Sequence, residues 1–467
     1  MQNLFASPVA RASAAASLLQ LFAQLLTLQD LPAAGIKSKR PFYRRIWCPR
    51  LTLWYLIWQR LSPQHALRAV VADARRGGAD ALRPGPTPWS ARLRSSATTA
   101  LAKARARLPL AWVQTNFTRL ALALAALAAP TPEPLPVRLL DGSTLRLRPH
   151  GDIPKHFPPH RTRRKKAYWC VVRMVVCFCG NSAVALAAQM GSIHASEQTL
   201  AVRLILAAAA RALYVGDRNF GVWRVVRACA QAGGHALVRL TGARAGRLAA
   251  GRPLRPGLDL AVVWTPSAHD QVDPGLQKEA VTGRLVVVRV ARRGWRPQTL
   301  ILFTTLTDAT AYPPARLLAL YGQRWQVELA LRTLKTTLGL GQLEVKSADL
   351  AHKEFYAGLM AYNLVRGLMG VAARTHGGTV QERSFAAART ILWGALGLLL
   401  LSWGPAWRRW AEWERVCAEV GRARLPRRKK PRPSEPRAQY HVPQVFPPLR
   451  GTRAQARQLL KKQAANS

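Results

Sequence analysis

Tyr321, Arg324, Glu328 and Lys335 are the residues whose types and spacing most suggest chemistry. On a helix turning about 100° per residue they fall at roughly 0°, −60°, −20° and −40°, within about one sixth of a turn. A carboxylate flanked on one face by two cations and a phenol does not suit a core. Nor is it ordinary surface charge, where Glu and Lys pair about three or four residues apart; Glu328 and Lys335 are seven apart. Such a face suits a hard divalent cation at Glu328, with Arg324, Lys335 and Tyr321 gripping DNA phosphates beside it. One carboxylate is too few. The chain offers two more at expected strand ends: Asp141 after the apolar run 137–140, and Asp217 within Val215-Gly216-Asp217-Arg218-Asn219-Phe220-Gly221. Each has a plainer reading, since Asp-Gly is a common hairpin turn and Asp often caps the helix that follows.

The elements that must position these residues follow from pattern. Residues 1–130 read as helical with basic punctuation. Leu51 to Arg60 has helical spacing, and Ser62-Pro63 reads as the N-cap and first position of a second helix ending at Gly77-Gly78. With Lys37, Lys39, Arg40, Arg44, Arg45 and Arg50 alongside, this pair suits a DNA-binding unit or, equally, an ordinary bundle. Pro130 to Pro136 reads as a linker. Strands are expected at Val137 to Leu140, Thr144 to Arg148 (with Asp141-Gly142-Ser143 as the turn between them) and Trp169 to Phe178, with Ala183 to Met190 as a further one. Ser196 should cap a helix reaching about Ala212, with Glu197 near its positive end. A strand at Leu213 to Val215 then leads to Asp217, and Val222 to Ala232 is helical. Residues 236–306 turn β-rich, a long helix is expected from Pro314 to about Leu338, and helical pattern returns from Phe355 to Trp413.

The charge balance narrows the partner. Seventy Lys and Arg face 22 Asp and Glu, a net charge of +48, which calls for a polyanion. Nucleic acid fits, and insertion into a membrane does not: the longest apolar run, Ile391 to Trp403, is shorter than the roughly 20 residues of a spanning helix. No secretory signal is evident. Six scattered cysteines form no disulfide framework or zinc-ribbon spacing, and His156 and His160 sit in a Pro-rich loop rather than at ligand spacing. The tail 422–467 carries 13 Lys/Arg and one Glu and reads as a disordered basic arm.

The spacing Y-x2-R-x3-E-x6-K, met by Tyr321, Arg324, Glu328 and Lys335, together with Asp141 in Leu-Leu-Asp-Gly-Ser and Asp217 in Gly-Asp-Arg-Asn-Phe-Gly, resembles the bacterial insertion-sequence transposases with a DDE triad. The resemblance implies an α/β fold with a ribonuclease-H-like catalytic core and a β-rich insertion, flanked by helical N- and C-terminal regions. It implies Asp141, Asp217 and Glu328 as catalytic and metal-holding residues for two Mg²⁺ ions, with Mn²⁺ able to substitute. Tyr321, Arg324, Lys335 and Arg218 would contact DNA. Trp295 or Trp264, in the insertion, would stack on a flipped base or else serve packing. The expected divisions are 1–130, helical and DNA-binding; 131–235 with 307–345, the core; 236–306, the insertion; 346–421, helical and making protein contacts; and 422–467, the tail.

The reaction implied is cleavage at element ends and transfer of the 3′ ends to target DNA, by a homodimer on paired ends, in the bacterial cytoplasm at the nucleoid. The partner is double-stranded DNA, both element ends and target. Two rivals remain: a catalytically inactive DNA-binding repressor, which the charge suits equally, and a structure-specific nuclease, which would cut but never join.

Overall fold

A computed structural model of the chain describes residues 46–82, 87–127, 133–161, 166–268, 270, 273–291, 298–399, 406–426 and a few positions after 451. Lys37 to Arg45, Trp295 and nearly all of the basic tail lie outside them. The chain forms two units, residues 1–289 with 299–427, and residues 290–298 with 428–467. In the second, Thr452 and Gln455 exchange hydrogen bonds, a small helix-start box.

Among the described residues, the first unit opens with helices α1 (Pro49–Leu61), α2 (Leu67–Arg75), α3 (Thr99–Arg107) and α4 (Leu110–Ala126). The helix expected from Ser62-Pro63 starts later. Ser62 closes α1, its hydroxyl accepting from the Gln64 backbone, and α2 begins after Ala66. Every residue of α1 except Arg50 is buried, the mark of a core helix with no free face for a DNA groove.

The sheet follows: β1 (Val137–Leu147), a single helical turn α5 (Ile153–His156), β2 (Pro159–Arg161), β3 (Lys166–Cys179), β4 (Ala185–Ser192), α6 (Glu197–Ala208), β5 (Leu213–Gly216), α7 (Trp223–Gln231) and β6 (His235–Arg239). Beyond these come α8 (Gly242–Leu248), β7 (Asp259–Trp264), β8 (Val281–Val290) and β9 (Gln298–Thr304). The strands join in the order β2-β3-β1-β5-β6-β9-β8-β7, with β4 also on β3. β3 runs antiparallel to β1 and β4, whereas β5 is parallel to β1 and β6 to β5. The result is a mixed sheet flanked by helices.

Two expectations are corrected. The turn placed at Asp141-Gly142-Ser143 does not form, because β3 pairs with β1 without a break from Arg138↔Cys179 to Leu147↔Cys170. Ten consecutive partners outweigh a local turn preference. The single helix expected from Pro314 to Leu338 is two, α9 (Pro314–Gly322) and α10 (Trp325–Thr336). At their junction the amides of Gln323 and Arg324 reach back only three residues, to Leu320 and Tyr321, so the chain tightens there.

A short β10 (Gln342–Leu343) pairs with β1, and α11 (Ala348–His376), α12 (Phe385–Leu399) and α13 (Ala406–Arg422) complete the unit. No helix among the described residues is long and apolar enough to cross a membrane. Helix α11 packs against α1, α4, α12 and α13. Its Asn363 continues the sheet in side-chain form, accepting from and donating to the Ala185 backbone at 2.8 Å each, where the β3–β4 register slips.

Glu354 on α11 centres a buried ion-pair cluster. Its carboxylate accepts from both Arg60 of α1 and Arg105 of α3, and all three side chains are at most 7% exposed. Glu354→Leu should therefore cost about 3–5 kcal/mol, since it strands two buried cations. Urea unfolding of the two proteins measures this; a loss under about 1 kcal/mol, as for a surface pair, would refute it.

Candidate active site

The parallel register of β1 and β5 sets up the site. Leu139 pairs with Val215, so Asp141 and Asp217 each stand two residues further along neighbouring strands. Adjacent strands lie about 4.8 Å apart, which brings together Asp141, inside β1, and Asp217, just past β5, at the carboxyl-end edge of β5 in the interior of the sheet. The Asp217 carboxylate is held by its own loop, accepting from the Asn219 amide at 2.8 Å and the Phe220 amide at 3.4 Å. Gly221 closes that loop against β6. A Cβ there would come within 2.2 Å of the Arg239 carbonyl oxygen, so no larger residue fits.

Asp141 accepts from the Gly142 amide at 2.8 Å. Burial raises its carboxyl to about 6; the Gly142 bond and Arg324 oppose the rise, while the charges of Asp217 and Glu197 add to it. Glu197, at the start of α6, is also raised, by burial first and then by Asp217, against the pull of Arg173 and a hydrogen bond from Asn219. The Asn219 amide group donates to Glu197 Oε2 at 2.6 Å. From sequence Glu197 was legible only as a favourable charge at a helix start. Its link to Asn219, 22 residues on, is tertiary and leaves no local signal.

The signature residues surround this edge. Glu328 Oε1 accepts from Arg324 at 2.7 Å, and Arg324 lies 5.9 Å from the centre of the Tyr321 ring. Lys335 reaches back to β1, donating to the Ser143 hydroxyl at 3.3 Å. Arg218 is exposed in the turn after Asp217. Asp141 and Asp217 are thus brought together, and Glu328 is engaged by Arg324. Trp264 is buried edge-on against Phe303, with centroids 5.0 Å apart, which makes it a core residue.

Among the described residues no group of three His, Cys, Asp or Glu lies close enough to hold a metal ion. The donor chemistry nonetheless suits a hard cation: carboxylates at one edge, one of them raised partly by its negative neighbours. Protonation and a bound cation would compete for the same oxygens.

Residues 132–364 match the Transposase DDE domain family. The chain is 28% identical over 278 residues to the transposase InsG for insertion sequence element IS4 of Escherichia coli (strain K12), covering 59% of this chain and 61% of that one. It therefore spans about three fifths of the length of the curated relative it matches. A cryo-EM structure of a piggyBac transposase synaptic complex with hairpin DNA aligns over 86% of this chain and 85% of its own, with TM-score 0.41 and 10% identity.

The raised Asp141 gives a pH test. Its folded carboxyl lies above the roughly 3.9 of an unfolded aspartate, so its contribution to stability is full below about 4 and is lost as pH rises through about 6. Without divalent metal, raising the pH from about 4 to 7 should cost the wild type up to about 2 kcal/mol relative to Asp141→Asn, after allowing for solvent screening. Parallel stability–pH curves for the two proteins would show that Asp141 is not strained in this way.

Proposed function

We propose that the protein is a transposase that cleaves the ends of an insertion sequence and transfers the freed 3′ ends to target DNA. The observation that carries this reading is the placement of Asp141 and Asp217 together at the carboxyl-end edge of β5, with Lys335 and the Arg324–Glu328 pair bordering it. The sheet order β4-β3-β1-β5-β6, with only β3 reversed, supports a ribonuclease-H-like core made of residues 131–235 and 307–345. β6 completes that sheet, so the insertion proper is drawn from after Arg239. Trp295, expected to stack on a base or else to serve packing, and nearly all of the basic tail lie outside the described residues.

Asp141, Asp217 and Glu328 would hold divalent ions, Mg²⁺ or Mn²⁺, which when bound supply Lewis-acid charge for phosphoryl transfer. The chain's own part is positioning. Arg324, Lys335 and Arg218 neutralise phosphates on double-stranded DNA, and the buried Tyr321 ring backs Arg324. Arg324 donates to Glu328, and an incoming phosphate would compete for the same guanidinium. In cleavage, water attacks a phosphorus at the element end and the 3′ oxygen leaves; in transfer, that 3′-OH attacks a target phosphorus in line and the target strand's own 3′ oxygen leaves. The Arg324–Glu328 bond also supports the rival reading of a DNA binder without catalysis, because it occupies the third carboxylate.

The test is cleavage and strand transfer on a labelled duplex bearing the element's terminal repeat, with Mg²⁺ or EDTA, for wild type and Glu328→Gln. We expect metal-dependent nicks and joined products, reduced at least about 100-fold in the variant while DNA binding persists. Tight binding without cleavage in Mg²⁺ would establish the binder. Nicks without joined products would establish a nuclease.

A further inference from the structure

We propose that Glu197 is a positioning residue of this site, holding Asp217 in place through Asn219. The inference rests on the reading above and extends it to residues outside the signature. The connection is a relay of two short hydrogen bonds: Asn219 Nδ2 donates to Glu197 Oε2 at 2.6 Å, and the Asn219 backbone amide donates to Asp217 Oδ1 at 2.8 Å. Gln198, the next residue on α6, grips the same asparagine, donating to its carbonyl oxygen at 3.0 Å and its Oδ1 at 3.3 Å.

The start of α6 is itself fixed. Ser196 caps it by accepting from the Thr199 amide at 3.0 Å, and Arg224 of α7 donates to the Ser196 hydroxyl at 2.6 Å. On its other side Glu197 lies against β1, where a Cβ on Gly142 would come within 2.3 Å of the Glu197 carboxyl carbon. Gly142 is thus the residue beside Asp141 that leaves room for Glu197. A glutamate serving only the helix dipole needs neither contact. Here it touches β1 beside Asp141 and ties the exposed end of the Asp217 loop to a rigid helix.

Partners that orient a ligating carboxylate typically contribute about 10- to 100-fold in metal affinity. The test titrates Mn²⁺ into the full-length, DNA-free protein, following free Mn²⁺ by electron paramagnetic resonance, with thermal melts of the metal-free proteins alongside. Glu197→Ala and Asn219→Ala should each weaken Mn²⁺ binding about tenfold or more, and the double variant should do no worse than either. Glu197→Gln keeps an oxygen acceptor for Asn219 and should retain most of the affinity. Gly142→Ala should mimic Glu197→Ala by displacing the carboxylate. Because Asn219 is exposed, its variant tests the relay even if Glu197→Ala does not fold.

Unchanged Mn²⁺ affinity in Asn219→Ala, or lowered melting with unchanged affinity in Glu197→Ala, overturns the proposal. So does a Glu197→Gln as weak as Glu197→Ala, which would mean that charge acts and not the relay. Asp217→Asn separates the layers: if it binds Mn²⁺ like wild type, the underlying assignment fails, whereas its loss beside an unaffected Asn219→Ala sinks only the relay.

Discussion

The parallel pairing of β1 with β5 is the constraint on which the rest depends. Three paired residues, Val137↔Leu213 to Leu139↔Val215, fix which side chains leave the sheet edge together. A slip of one residue would turn Asp141 or Asp217 to the opposite face. The register is held from both sides. β3 grips β1 over ten residues, and α6 packs on β3 and β4 while joining α7 over the core that contains Leu140, Tyr214 and Phe220. Burying that apolar surface offsets the cost of holding two acids side by side.

How much of this was legible in sequence varies with the range of the interaction responsible. Asp217 stood out because its setting is local: an apolar strand, an acid and a glycine-closed loop. Tyr321, Arg324, Glu328 and Lys335 stood out through spacing alone, although the helix assumed for them breaks after Gly322, a residue whose helix-weakening character was there to be read. Asp141 was placed in a turn because Asp-Gly favours one, and only the distant β3 decides otherwise. Glu197 was visible as a helix-start charge, but its partner Asn219 is brought to it by folding. The burial of α1 was equally hidden, since the helix that covers it begins near residue 348.

The scarcity of acids shapes the electrostatics. Of 22 carboxylates, several are committed inside the fold: Glu354 to two arginines, Asp273 to Arg224, and Asp259 to Arg284. Asp141 and Asp217 are committed to the candidate site. Few remain to offset 70 basic side chains, so the surplus positive charge falls on surfaces and segments suited to a polyanion.

The bonds that join Arg60 and Arg105 to Glu354 span 294 and 249 residues of chain. In vectorial synthesis both arginines leave the ribosome long before their carboxylate exists. Helices α1 and α3 can form early but cannot bury those cations until α11 emerges, so the N-terminal bundle closes only after the entire sheet has been made. The order of translation thereby makes the N-terminal helices the last part of this unit to lock, although they are the first to be built.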